Sequence, residues 1–288
     1  MKKVLITGST GLIGYEVIGQ LLSKWAVYAV SRRSNEYLST HTEQIICDLS
    51  QNFDTSLFPE RVDAVIHLAQ SEHFRNFPEK VEDIFTVNTL ATLKLLEYAR
   101  KAGAKNFILA SSGGVYGYGD EEFSEEKPLL VRDDLGFYLS SKLCSEIVAD
   151  NYSSFMNIVS LRFFFVYGPR QNETMLIPRL IKNIKNGNAI TLQGSNGIMI
   201  NPTYVSDAAE AVVRSLDLTG SCKINVGGPE VLRLRQICEI IGDWVDKKPI
   251  FEINEGVDAR NLFGSTRVMR TLLCEPKVRF EKGIRSFI

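Results

Sequence analysis

The chain lacks the features that mark several classes of protein. No stretch approaches the ~20 consecutive apolar residues of a membrane span. The formal net charge is −1 and no block of basic residues occurs, so neither nucleic acid nor an anionic membrane is indicated as a partner. A strand-like segment begins at residue 2, which leaves no room for a signal peptide. We therefore expect a protein that binds neither membrane nor nucleic acid.

Cysteine is also sparse. The five cysteines are odd in number and follow no metal-ligand spacing; they are Cys47, Cys144, Cys222, Cys238 and Cys274. This pattern predicts reduced thiols, a cytoplasmic location and no metal site. With 288 residues, 44% of them hydrophobic, the chain can bury one large core or a core plus a small lobe.

A glycine-rich segment stands between a predicted strand and a predicted helix. Lys2–Thr7 is a short apolar run, and apolar residues recur at helical spacing from Leu12 to Leu22. In a dinucleotide-binding loop the first glycine permits a tight turn, the second admits the pyrophosphate and the third lets helix and strand pack closely. The helix amides then face the phosphates. We assign this role to Gly8, Thr10, Gly11, Leu12, Ile13 and Gly14.

The end of the second predicted strand bears on the choice of coenzyme. An acidic residue there accepts a hydrogen bond from the adenosine ribose in NAD-preferring proteins. This chain has Ser31, Arg32 and Arg33 instead. Because guanidinium groups bind phosphate through paired donors, the sequence favours NADP(H). In the alternative, both arginines are solvated and NAD(H) is bound.

Further strands are predicted over residues 44–49, 62–69 and 107–112, and they alternate with helices. This order predicts an α/β protein with a parallel sheet that binds ligands at the carboxyl ends of its strands. Asp48 is placed to accept a hydrogen bond from the adenine amino group. His67 is expected to be a structural hydrogen-bonding residue rather than a catalyst.

Tyr138 and Lys142 are the candidate acid/base pair. On a helix, residues four apart share a face. An ammonium group nearby favours the phenolate and should lower the pKa of Tyr138. Ser112 can hydrogen-bond the substrate oxygen that gains or loses a proton. We therefore expect Ser112, Tyr138 and Lys142 to carry general acid/base catalysis beside hydride transfer.

The whole set of motifs resembles the extended short-chain dehydrogenases/reductases, within the nucleotide-sugar epimerase/dehydratase family. The motifs are the glycine loop, Asp48-Leu49, His67-Leu68-Ala69, Asn88, the segment 111–117, Tyr138 with Lys142, Leu161-Arg162-Phe163, Tyr167-Gly168-Pro169-Arg170 and Tyr204-Val205-Ser206-Asp207. The resemblance implies a Rossmann-type doubly wound parallel sheet with a small C-terminal substrate-binding lobe. The expected division is 1–166 with 204–227 for the coenzyme domain, and 167–203 with 228–288 for the lobe.

The same resemblance implies further site residues and a nucleotide-linked sugar as substrate. Coenzyme contacts are expected from Leu49, Leu68, Ala69, Asn88 and Phe165, besides Tyr138 and Lys142. Substrate contacts are expected from Ser112, Gly113, Tyr138 and Arg170. Two helices, near 88–102 and 138–153, are expected to pair across a twofold axis in a homodimer, or else to serve only the internal core.

Departures from the family pattern narrow the reaction. Sugar 4,6-dehydratases place Asp-Glu after the catalytic hydroxyl residue, whereas this chain has Gly113 and Gly114, so dehydration is not expected. Phe165 stands where many epimerases have Asn, and Ile200 where a phosphate-binding Arg is common. Arg170, Arg179, Arg260 and Arg267 are the candidate replacements.

Three functions follow from this pattern. Arg32, Arg33 and the missing Asp-Glu pair favour an NADPH-dependent ketoreductase acting on a nucleotide-linked deoxysugar. The alternative is a nucleotide-sugar epimerase with tightly bound coenzyme, which would use the same three catalytic residues. A non-catalytic dinucleotide sensor is disfavoured because those residues are intact.

Overall fold

The computed structural model describes residues 1–129 and 135–287. In its first part, strands and helices alternate along the chain: β1 (Lys2–Thr7), α1 (Leu12–Leu21), β2 (Trp25–Ser31), α2 (Glu36–His41), β3 (Glu43–Ile46), β4 (Ala64–His67), α3 (Val81–Phe85), α4 (Ala91–Lys101), β5 (Asn106–Ser112), α5 (Phe137–Asp150) and β6 (Asn157–Phe163). The later elements are shorter on average: β7 (Val166–Tyr167), α6 (Leu176–Asn186), β8 (Ile190–Gln193), β9 (Met199–Ile200), β10 (Thr203–Tyr204), α7 (Val205–Ser215), β11 (Cys222–Val226), β12 (Leu232–Arg233), α8 (Leu234–Val245), β13 (Phe251–Asn254), α9 (Arg267–Leu272) and α10 (Phe280–Ile284).

Seven parallel strands form the central sheet in the order β11-β6-β5-β4-β1-β2-β3. Both faces of this sheet are covered, as the apolar strand sequences require. In β1, Val4 and Ile6 enter the core that includes α1 and α7, whereas Leu5 enters the core under α4 on the opposite face. This arrangement confirms the predicted Rossmann-type doubly wound sheet.

The residues beyond the sheet form a smaller lobe with its own core. Its apolar side chains come mainly from α6, α8 and α10, and include Ile181, Leu192, Ile237 and Phe280. Three two-stranded pairs accompany these helices: β7 with β10, β8 with β13 and β9 with β12. The division between coenzyme domain and lobe at residue 166 stays a prediction.

Two sequence-predicted elements differ in their bounds. The third strand ends at Ile46 rather than Leu49, because the chain turns at Asp48, whose carboxylate accepts from the amide of Ser50 at 2.9 Å. The predicted helix from residue 88 is α4, preceded by a π turn over Thr86–Leu90. Such turns often occur at functional sites, and this one carries Asn88. Among the described residues, no helix is long and apolar enough to cross a membrane.

Candidate active site

The glycine loop has the backbone geometry that a dinucleotide requires. Gly8 has a φ of +69°, and a Cβ atom there would lie 2.7 Å from the amide nitrogen of Ala69. A Cβ atom at Gly14 would overlap the carbonyl oxygen of Gly8. Gly11 is the N-cap of α1 and has no side chain to cap the helix, so the first-turn amides are left for a phosphate group. The loop therefore fits a dinucleotide.

A cleft of about 230 Å³ opens beside this loop. Nine of the predicted coenzyme residues line it: Gly8, Thr10, Gly11, Ser31, Arg32, Asp48, Leu49, Leu68 and Ala69. The predicted residues outside the lining are Leu12, Ile13, Gly14, Arg33, Asn88, Tyr138, Lys142 and Phe165. Gln70 also lines the cleft and contacts Tyr138, so the cleft leads from the end of β2 toward the catalytic residues.

Asn88 is buried and its side chain joins two parts of the site. Its Oδ1 accepts from the amide of Ser71 at 3.0 Å, and its Nδ2 donates to Oγ of Ser141 at 2.9 Å. Asn88 therefore ties the loop after β4 to α5, the helix that carries Tyr138 and Lys142. In this structure it positions the walls of the cleft rather than lining it.

Arg32 does not face the cleft as a free cation. Its Nη1 and Nη2 donate to the two carboxylate oxygens of Glu72 at 2.8 and 3.0 Å. Ser31 is buried and its hydroxyl donates to the carbonyl of Arg33 at 2.9 Å, while Gln44 donates to that hydroxyl. The sequence-based preference for NADP(H) is not supported, since its main phosphate ligand is already paired.

Tyr138 lies in the first turn of α5. Its hydroxyl donates to Oε1 of Gln70 at 3.0 Å, and its ring packs against Phe74 with centroids 5.2 Å apart. Burial raises the pKa of Tyr138. The expectation that Lys142 lowers this pKa is therefore wrong for this structure, because loss of hydration is what shifts it.

The side chain of Lys142 reaches the end of β5, the strand that carries Ser112. Lys142 is buried, and its Nζ donates to the carbonyl of Ala110 at 2.9 Å. Burial lowers the pKa of Lys142 to about 8, and the carboxylate of Glu146 opposes that effect. Ser112 is half-buried, and its hydroxyl oxygen accepts from the amide of Gly114 at 3.1 Å. The strand end and the helix thus bring the predicted catalytic groups together.

A buried polar network stands behind these residues. The Glu146 carboxylate accepts from Nε and Nη2 of Arg162 at 3.0 and 2.7 Å and from the hydroxyl of Ser111. Nη1 of Arg162 donates to the Tyr116 hydroxyl at 2.7 Å, which in turn donates to Asn225. This network joins α5, β5, β6 and β11, and so fixes the end of β5 beneath Ser112.

The two glycines after Ser112 are packed against large side chains. A Cβ atom at Gly113 would overlap the ring of Phe164, which is buried and also covers Gly264. A Cβ atom at Gly114 would lie 2.6 Å from Cδ2 of Leu139. The space that Asp-Glu would need beside Ser112 is therefore filled, which gives a physical basis for the missing dehydratase pair.

Arg170 lies against α1. Its guanidinium stacks on the ring of Tyr15 at 3.3 Å and lies 3.6 Å from Oε1 of Glu16. These contacts hold it on α1, and its role in substrate binding stays a prediction. Of the other candidate arginines, Arg260 lies over the ring of Tyr118 at 5.4 Å and Arg267 pairs with Glu126 at 3.1 Å.

Phe165 has a φ of +43° and packs with the lobe core. A bulky residue in this region is strained, and such residues cluster at functional sites. Its carbonyl accepts from the amide of Thr203 at 3.2 Å, so the strained turn holds β6 against the lobe.

His67 is a buried structural residue. Because Thr92 donates its hydroxyl proton to the carbonyl of Asn88, it accepts from Nε2 of His67 at 3.0 Å. Nδ1 then accepts from the Thr7 hydroxyl at 2.7 Å. Burial lowers the pKa of His67 to about 3, so the ring is neutral.

In residues 1–129 and 135–287, no group of three His, Cys, Asp or Glu side chains could hold a metal ion.

Sequence reasoning assigned no role to Glu72 or Asp83, which line the cleft together with Gln70. Gln70 and Glu72 follow β4, where strand ends meet ligands, and that placement was the available signal. The hydrogen-bond partners of Glu72 and Asp83 depend on the path of the loop after β4, which the spacing of apolar residues does not predict.

Comparison with known proteins agrees with this geometry. The family model for the NAD dependent epimerase/dehydratase family matches residues 4–227. The chain belongs to this family, which contains enzymes of the short-chain dehydrogenase/reductase superfamily, and the predicted resemblance is confirmed.

Individual relatives cover nearly the whole chain. A UDP-glucuronate 4-epimerase of Thermodesulfobacterium geofontis is 30% identical, over 99% of this chain and 94% of that protein. The structure of a Bacillus cereus UDP-glucuronic acid 4-epimerase with UDP-glucuronic acid and NAD has a TM-score of 0.86 at 26% identity, over 99% of this chain and 97% of that one. A mouse dTDP-D-glucose 4,6-dehydratase is 27% identical, over 100% of this chain and 88% of that protein.

Proposed function

We propose that the protein is an NAD(H)-dependent epimerase that inverts C4 of a nucleotide-linked sugar, of the class of UDP-linked hexoses and hexuronic acids. The observation that carries this proposal is the end of β5, where Lys142 donates to the carbonyl of Ala110, two residues before Ser112, while Phe164 fills the place of a dehydratase carboxylate. The family spans epimerases and dehydratases, and this packing favours the former. The ketoreductase hypothesis depended on a free Arg32, which is paired with Glu72.

The coenzyme would be held by the glycine loop and by the cleft beside it. When bound, it would accept a hydride from the sugar and later return it. Tyr138 would take the proton of the sugar hydroxyl as that carbon is oxidised, and give it back when the carbon is reduced on the opposite face. Ser112 would hydrogen-bond the same oxygen, and the Lys142 ammonium would favour the phenolate.

The test is a product analysis. The purified protein is incubated separately with UDP-glucose, UDP-glucuronic acid and UDP-N-acetylglucosamine, and products are examined by NMR and mass spectrometry. An epimer of unchanged mass, with no net NADH formed, supports the proposal. Steady NADPH consumption with a keto sugar and no epimer would favour the ketoreductase, and a product lighter by one water would contradict both.

Two further properties are part of the proposal. We infer a homodimer through α4 and α5, and a cytoplasmic location consistent with five free thiols. The dimer is tested below.

A further inference from the structure

The Arg32–Glu72 pair crosses the coenzyme cleft. Arg32 follows β2 and Glu72 lies in the loop after β4, and these two strands flank β1. The pair therefore reaches over β1 and its glycine loop. Both residues line the cleft, and their bidentate contact joins its two walls.

Carboxylates predominate in this part of the cleft. The charged side chains of the lining are those of Asp48, Glu72 and Asp83 against the single guanidinium of Arg32. Asp48 accepts from Ser50 at 2.8 Å and Asp83 accepts from Ser71, so neither neutralises Arg32 by direct contact. Arg33 is exposed beside them and adds a weaker positive influence on Glu72.

We propose that Glu72 determines coenzyme choice, supplying from the loop after β4 the carboxylate that Ser31 does not supply at the end of β2. This inference builds on the proposed dinucleotide binding. Glu72 would act in two ways. It occupies the donors with which Arg32 would bind a 2′-phosphate, and it adds negative charge that repels that phosphate. NAD(H) has no 2′-phosphate and avoids both costs.

The experiment measures binding rather than turnover. Coenzyme-free protein is titrated with NADH and with NADPH by fluorescence, for the unmutated chain, Glu72→Gln, Arg32→Ala and the double variant. We expect NADH to bind more tightly to the unmutated chain. Glu72→Gln should reduce that preference by about tenfold, because Arg32 can then donate a charge-assisted hydrogen bond to the 2′-phosphate instead of to Glu72. The double variant should not show the tighter NADPH binding expected of Glu72→Gln, because it lacks the guanidinium group of Arg32.

A matched control is the Glu97–Arg100 pair on α4, which is also bidentate at 2.9 and 2.8 Å. Glu97→Gln should leave the NADH/NADPH ratio unchanged. An unchanged ratio in Glu72→Gln, or tighter NADPH binding by the unmutated chain, overturns the inference while dinucleotide binding stands. Binding of neither coenzyme by folded protein would instead contradict the proposed function.

Discussion

The hydroxyl of Tyr138 is the most informative single group in the site. It is a hydrogen-bond donor to Gln70, and burial raises its pKa above the ordinary value. In this state Tyr138 is a phenol, so it is ready to give a proton and needs a neighbouring cation before it can take one. Lys142, one turn further along α5, can supply that cation. In this structure its ammonium group donates to the carbonyl of Ala110.

Replacing Tyr138 by Phe removes the transferable proton and keeps the ring. Epimerisation should fall by roughly 10²–10⁴-fold, the usual worth of a general acid/base. NADH affinity should change little, because the ring still packs against Phe74. Turnover of the substrate and NADH titration give the two readouts. Near-normal turnover in the variant would remove Tyr138 from the mechanism.

Lys142 should set the alkaline limit of activity. Its pKa is lowered to about 8, so the ammonium is present below that pH and lost above it. We therefore expect kcat/KM to fall as the pH rises through about 8. Lys142→Arg keeps a positive charge throughout this range, so the variant, although slower, should show no fall near pH 8. If kcat/KM of the variant still falls near pH 8, a group other than Lys142 titrates there.

At the scale of the elements, the turn after β5 is defined by packing against Phe164. The ring is buried between Gly113 and Gly264, two glycines far apart in the sequence. The glycine after Ser112 and the ring of Phe164 together leave no room there for a dehydratase Asp-Glu pair.

Gly113→Ala tests this packing. The added methyl group should lower the free energy of unfolding by about 1–3 kcal/mol, the range for overpacked cores. Gly19→Ala on α1 is the matched control, since its nearest heavy atom would be the Tyr37 hydroxyl at 3.8 Å. That change should stabilise by about 0.5–1 kcal/mol. Urea unfolding measures both, and equal effects at the two positions would refute the packing argument.

Some elements were predictable because their patterns are local. Lys2–Thr7 was predicted with the observed bounds. The apolar periodicity of Leu176–Asn186 and the glycine that follows it likewise predict a helix with the bounds of α6. Helix α8 was not predicted, although Leu234, Ile237, Cys238 and Ile241 recur at helical spacing and are all buried.

The residues of the candidate site were likewise predictable where the pattern is local and not where it depends on packing. The glycine loop and the Ser112, Tyr138 and Lys142 set follow from backbone rules and spacing. Arg162 was noticed as part of a motif, but its partner Glu146 and their contact with Ser111 depend on how α5 packs against β5 and β6. The sign of the Tyr138 pKa shift was likewise missed, because burial is a property of the folded chain.

At the scale of the whole molecule, α4 and α5 pack against each other and leave apolar side chains exposed. Leu90 and Leu93, at the start of and within α4, are 45% and 42% exposed, and Ile147 of α5 is 56% exposed. Leu96 of the same helix is buried in the internal core. In the proposed dimer, a second copy of the chain would cover the exposed side chains of Leu90, Leu93 and Ile147.

The dimer is tested by adding charge to this face. Leu93→Glu with Ile147→Glu should convert a dimer into a monomer in sedimentation, because burying two unpaired carboxylates opposes association. Ile250→Glu is the control, since Ile250 precedes β13 in the lobe and is 52% exposed. It should leave the dimer intact. An unmutated chain that sediments as a monomer at all concentrations would assign these leucines and Ile147 to an ordinary surface, and the pairing of α4 and α5 would be wrong.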